Sequence, residues 1–98
     1  MKTAKELIDS LTPKTKTTLA IQGVEFTFHL DNAAYDAMVN SIGEDNKTTP
    51  IKDYLLDIID PAQKEDFAPL LQVPGLALQI AGKVNEQLIP KVEITVKN

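Results

Sequence analysis

Thr17-Thr18-Leu19-Ala20-Ile21-Gln22-Gly23-Val24-Glu25-Phe26-Thr27-Phe28-His29-Leu30 is the stretch whose reading decides the fold. With Gln22 and Gly23 as the central residues of a tight turn, Ile21 stands opposite Val24, Leu19 opposite Phe26, and Thr17 opposite Phe28. Side chains alternate along a strand, so these six residues share one face. The other face carries Thr18, Ala20, Glu25, Thr27 and His29. Gly23 supplies the positive φ of a hairpin turn; Gln22 is a less usual partner, which leaves a slightly longer loop as the alternative. A register slip of one residue would turn the apolar face to water. A lone two-stranded hairpin is marginal in water. The rest of the chain is therefore expected to cover Leu19, Ile21, Val24, Phe26 and Phe28.

Working outward, the flanking segments read as short helices. Residues 3–11 carry a Thr3-x-x-Glu6 capping box and an apolar stripe of Ala4, Leu7, Ile8 and Leu11, ended by Thr12-Pro13-Lys14. Asp31 caps a helix over residues 32–42, with Leu30 and Tyr35 placed for a hydrophobic staple. Ala34, Tyr35, Met38, Val39 and Ile42 line one side of it, and Gly43 ends it. Thr49 reads as the next cap, with Pro50 at the first helical position. Ile51, Tyr54, Leu55, Ile58 and Ile59 then give the cleanest helical spacing in the chain. Asp60-Pro61-Ala62-Gln63 repeats the start signal, with Gln63 as a capping-box residue, and Pro69 limits the helix that follows.

Val73-Pro74 opens the last helix, to about Gln87, with Leu76, Ala77, Ile80, Ala81, Val84 and Leu88 inward. Leu78 lies off that stripe, at a second contact or exposed. Gly75 and Gly82 read as merely tolerated, close approach of another backbone being the alternative. In the tail, Val92, Ile94 and Val96 alternate with Glu93, Thr95 and Lys97. That strand pattern either adds a third strand beside the hairpin or pairs with another chain. The expected architecture is one α+β domain over residues 1–98: a small antiparallel sheet packed against four or five short helices.

Composition narrows the function. The chain has 98 residues, no cysteine and a formal net charge of −4. It therefore has no thiolate chemistry or disulfide framework, and a cytoplasmic protein is the expectation. There is no apolar run long enough to span a membrane and no apolar stretch of a signal peptide near the first residues. Residues 44–66 hold seven acids against three lysines, which is the whole net charge. All ten basic residues are lysine. An acidic chain without arginine is a poor nucleic-acid ligand, and its acidic segment is repelled by an anionic membrane.

Candidate chemistry is sparse. His29 is the sole histidine and falls on the polar face of the hairpin. Asp53, Asp57 and Asp60, at i, i+4 and i+7, read as a solvated acidic face. Residues 44–47 lack the alternating ligands of a calcium loop. No nucleophile motif or phosphate loop is present. The expectation is no enzyme activity, no metal and no cofactor. The apolar surplus at Leu70, Leu71, Val73, Leu76, Leu78 and Leu88 is more informative. It is either core or, in part, an exposed contact patch.

Three stretches together resemble a known family: the hairpin of residues 18–28; Thr49-Pro50-Ile51-Lys52-Asp53-Tyr54-Leu55-Leu56; and residues 73–86, Val73-Pro74-Gly75-Leu76-Ala77-Leu78 onward. In this order, in an acidic chain of this length, they resemble the small tail assembly chaperones of tailed bacteriophages and prophages. The resemblance implies a helper without chemistry, at work in the bacterial host cytoplasm. It would coat the helical tape-measure protein, help recruit tail-tube subunits, and leave before the virion is complete. Some relatives are also made as a longer frameshifted product. The expected partner-contacting residues are Leu70, Leu71, Leu76, Leu78 and Leu88, with Val92, Ile94 and Val96 as a surface for self-association. The competing class is a small acidic inhibitor or nucleic-acid mimic acting through residues 44–66.

Overall fold

A computed structural model describes residues 3–12 and 14–97. The hairpin forms in the register expected. Strand β1 (Lys16–Ile21) pairs antiparallel with β2 (Val24–His29), with Ile21 opposite Val24, Leu19 opposite Phe26 and Thr17 opposite Phe28. The turn is the two-residue kind: Gln22 has φ 50° and Gly23 φ 85°. Both central residues in the left-handed region match the twist of the strands, and Gln22 accepts the strain that asparagine or glycine would avoid. On the polar face, the Thr18 and Thr27 hydroxyls share a hydrogen bond at 2.8 Å across the strands.

The described residues form five helices beside it: α1 (Ala4–Leu11), α2 (Asn32–Ser41), α3 (Thr48–Ile58), the single turn α4 (Lys64–Phe67) and α5 (Leu76–Leu88). Two 3-10 segments, Pro61–Gln63 and Ala68–Gln72, flank α4. Helix α5 packs on β1, the end of α3 lies on β2, and α3 also touches α5 and α2. The result is the α+β arrangement expected, a small antiparallel hairpin against short helices. The core holds Phe26 and Phe28 from the hairpin, Tyr54, Leu55 and Ile58 from α3, Phe67, Leu71, and Ala77, Ile80, Ala81, Val84 and Leu88 from α5.

All five aromatic residues enter this scheme. The Phe67 ring meets Phe26 at 5.4 Å and Phe28 at 5.3 Å between centroids, both edge-on. Tyr35 and Tyr54 form a second edge-on pair at 6.0 Å, joining α2 to α3. Such pairs add to plain area burial because the positive ring edge meets the negative face. The Tyr54 hydroxyl donates to Asn85 Oδ1 at 2.9 Å and ties α3 to α5. Burial first, then the neighbouring Tyr35 and Asp31, pushes the Tyr54 phenol up to about 12.

Several local expectations are corrected. Val24 is 56% exposed, and Leu19 and Ile21 are only half-buried against the core that encloses Phe26 and Phe28. Thr3 caps α1, accepting from the Glu6 N–H at 3.1 Å, but no residue of α1 is buried: Leu7 is 47% and Ile8 60% exposed. Of the break after α1, Pro13 lies outside the described residues. Asp31 caps α2 as expected, accepting from the Ala34 N–H at 3.0 Å. On its apolar side, Val39 and Ile42 remain exposed beside buried Ala34 and Met38. Gly43 follows the helix but is not left-handed; its backbone bridges to Asn46 instead. Helix α3 begins at Thr48, before the expected cap at Thr49, and no side chain caps it. Pro50 still falls in the first turn, where its missing N–H has no intrahelical partner to lose.

Gln63 departs most from expectation. Asp60 does cap the corner, accepting from the Ala62 N–H at 3.0 Å. Gln63 leaves the corner and reaches the outer edge of β2. Its Oε1 accepts from the Thr27 N–H at 2.8 Å and its Nε2 donates to the Glu25 carbonyl at 3.0 Å. The Asp60 N–H donates to the Thr27 carbonyl at 2.8 Å beside it, and Ile59 bridges to Phe28. One amide side chain and a short piece of backbone thus serve as the next strand. Residues 91–97 do not: among the described residues the sheet has two strands, and residues 91–97 have no regular secondary structure and are exposed.

Candidate partner-binding surface

The residues expected to meet a partner separate cleanly by burial. Leu71 and Leu88 lie in the core at 2% and 3% exposure, so neither is offered to a partner in this conformation. Leu70 and Leu76 are half-buried against that core. Leu78 is 51% exposed on α5, and Val73, at the corner before it, is 48% exposed. Beyond the helix, Val92 is 46%, Ile94 85% and Val96 81% exposed.

Local chain geometry explains the exposed corner. The 3-10 segment closes with the Val73 N–H donating to the Leu70 carbonyl at 3.1 Å. The Leu76 N–H then donates to the Val73 carbonyl at 3.1 Å. Gly75 turns the chain into α5 with φ 78°, a left-handed conformation that suits glycine. The helix buries Ala77, Ile80, Ala81, Val84 and Leu88, and at 100° per residue Leu78 falls outside that arc. Gly82 stands one turn after Leu78, and a Cβ there would meet nothing within 4 Å. No other element of the described residues approaches it, as the tolerated reading expected; for Gly75 that reading is corrected, since its left-handed turn calls for glycine.

Two clefts lie elsewhere. One of about 390 Å³ separates α2 from α3 and is bordered by Met38, Tyr54, Asp53 and Asp57. Asp60 does not join those carboxylates. It sits past the end of α3, where its Oδ2 lies 3.4 Å from His29 Nε2. The Ala62 N–H first, and His29 second, hold the Asp60 carboxyl below its ordinary value. Among the described residues no three histidine, cysteine or acidic side chains gather as a metal site. The second cleft, about 440 Å³, lies where the end of α1 meets the end of α5, between Leu11, Lys14, Gln87, Leu88 and Lys91. No helix among the described residues is long and apolar enough to cross a membrane.

Comparison with known proteins supplies the context for this surface. The sequence profile of the phage tail assembly chaperone family matches residues 17–98, from the first strand through the tail. The chain is also 53% identical over 97 residues to a protein of Haemophilus phage HP1 (strain HP1c1), covering 97% of this chain and 95% of that one. That relative is described as an uncharacterized 11.3 kDa protein in the lys 3′ region. No solved structure matches. A family match that runs from residue 17 to residue 98, most of its length, places the chain in the phage tail assembly chaperone family.

Proposed function

We propose that this chain is a non-catalytic chaperone that binds the tape-measure protein of a phage and assists assembly of the tail tube. It works in the host cytoplasm and is absent from the finished particle. The observation that carries the reading is that Val73 and Leu78, two large apolar side chains of the stretch 70–88, are left about half exposed. A long apolar helix is recognised by apolar anchors set in a groove or against a helix face. The acidic stretch of residues 44–66 keeps such a complex soluble by its like charge. The reading asks no bond-making chemistry of the chain, and it draws its specificity from family membership together with this corner.

The test is co-expression with the tape-measure protein, followed by co-purification. Leu78→Lys is expected to keep the circular dichroism spectrum and to lose the partner. A folded Leu78→Lys chain that still solubilises the tape-measure protein removes this corner from the chaperone surface. The complex should also persist in high salt, since apolar contact is not screened. A complex that dissolves in salt would instead assign binding to the acidic segment, as in an inhibitor or nucleic-acid mimic.

A further inference from the structure

We propose that two copies of this chain associate by exchanging their tails, residues 91–97 of each pairing as an added strand with the free edge of β1 in the other. The argument begins with the backbone groups of the hairpin. A two-residue turn makes Ile21 and Val24 a hydrogen-bonded pair, and strict alternation does the same for Leu19 with Phe26 and Thr17 with Phe28. The intervening residues therefore point their N–H and C=O groups away from the ladder. On β2 that outer edge is closed by Gln63 and Asp60, through the bonds to Thr27 and Glu25. On β1 the corresponding residues are Lys16, Thr18 and Ala20. Their outward backbone groups take part in no hydrogen bond among the described residues. Of the usual guards of an edge, strand β1 has one lysine, Lys16 at its first position, and no proline, no bulge in its ladder and no inward-facing charge.

The same chain carries a segment that fits this edge. Residues 91–97 make no backbone hydrogen bond to the rest of the described chain, and they alternate apolar and polar side chains. With Ile94 and Val96 more than four-fifths exposed, the apolar side is uncovered. Seven residues match the six of β1 in length.

The occupant of the edge is the tail of a second copy because of where the tail starts. Lys14 Nζ donates to Gln87 Oε1 at 2.8 Å, and Lys14 and Lys91 border one cleft. The tail therefore leaves α5 beside the beginning of β1. Laid along its own β1 it would run parallel, the less stable pairing per residue; a second copy is free to supply the antiparallel one. Reciprocal exchange satisfies both edges and closes on a two-fold axis. It also sets Val92, Ile94 and Val96 beside half-buried Leu19 and Ile21, and Glu93, Thr95 and Lys97 on the polar side. This inference stands apart from the tape-measure reading, since it needs no second protein.

Light scattering on the purified chain over a concentration series tests it. The full chain should reach twice the chain mass, and a chain ending at Pro90 should stay at the chain mass with its circular dichroism unchanged. The chain has no cysteine, so single thiols can be placed at will. A short thiol crosslinker should join an Ala20→Cys chain to a Thr95→Cys chain when the two are mixed, with the linked peptides identified by mass spectrometry. If the truncated chain does not fold, this crosslink decides alone. A full chain that is monomeric at every concentration overturns the proposal. So does a dimer that survives truncation, or a crosslink that forms only within one chain carrying both thiols.

Discussion

Phe67→Ala probes what holds the apolar corner in place. Phe67 is fully buried, and its ring meets the edges or faces of Phe26 and Phe28, so all three phenylalanines of the chain form one cluster. Truncating a buried phenylalanine to alanine costs about 3–5 kcal/mol through lost transfer energy and the cavity left behind. The two ring pairs, at roughly 0.5–1.5 kcal/mol each, set the value toward the upper end. A domain of this size has on the order of 5–15 kcal/mol in total. The folded-to-unfolded ratio should therefore fall by roughly two to four powers of ten, at about 1.4 kcal/mol for each. The thermal midpoint should fall by on the order of 12–40 °C. Urea unfolding followed by far-ultraviolet circular dichroism measures this, with Phe67→Leu as a milder companion that keeps much of the volume. A loss below about 1 kcal/mol for Phe67→Ala would mean that the three-ring cluster does not exist as described.

Gln63→Ala should cost about 0.5–1.5 kcal/mol, the net worth of bonds whose partners, the part-buried Thr27 N–H and the exposed Glu25 carbonyl, water can reach; amide exchange at Thr27 should quicken and report it. Leu7→Ala and Ile8→Ala should each change stability by no more than roughly 0.5 kcal/mol in urea unfolding, as for surface positions, since α1 buries nothing; a loss of about 2 kcal/mol or more would mean that α1 packs on the core. Tyr54 ionises near 10.0 when unfolded and at about 12 when folded. The stability this raised value contributes is full below pH 10.0 and is lost as the pH climbs through about 12; Tyr54→Phe should remove that alkaline decline in the urea midpoint, and its persistence would assign the decline elsewhere.

The sequence is legible where a local rule and the global fold agree. The hairpin register follows from two-residue alternation and one glycine, and the inward face of α5 from helical spacing; both describe surfaces that must be buried. Reading fails where burial depends on how far a neighbour extends. Val24 alternates correctly, yet it is 56% exposed while Ile21, opposite it at the hairpin tip, is half-buried against the core. The stripe of α1 is as apolar as a core helix, but amphipathicity states only that a face wants a partner, not that this chain supplies one. Gln63 sits at a capping-box position, and nothing local distinguishes a side chain that turns back on its own helix from one that crosses to a strand. Phe67, between Pro61 and Pro69, lies in a segment too short to show periodicity, so its place among the rings is set by tertiary packing alone.

The same limit explains the division of the candidate surface. Sequence spacing groups Leu70, Leu71, Leu76, Leu78 and Leu88 as one apolar surplus. Packing then takes Leu71 and Leu88 wholly, takes Leu70 and Leu76 in part, and leaves Leu78 with Val73 outside. A small domain that must both fold and hold an apolar partner has few large side chains to divide between the tasks. Here the division runs within one stretch of chain, in which Leu71 and Leu88 join Phe67 in the core and Val73 and Leu78, on either side of left-handed Gly75, stay exposed. A change among the buried members should therefore be read as lost stability, whatever it does to partners. A change at Leu78 should be read as lost binding, provided the fold survives. That separation makes the apolar corner testable apart from the core beneath it.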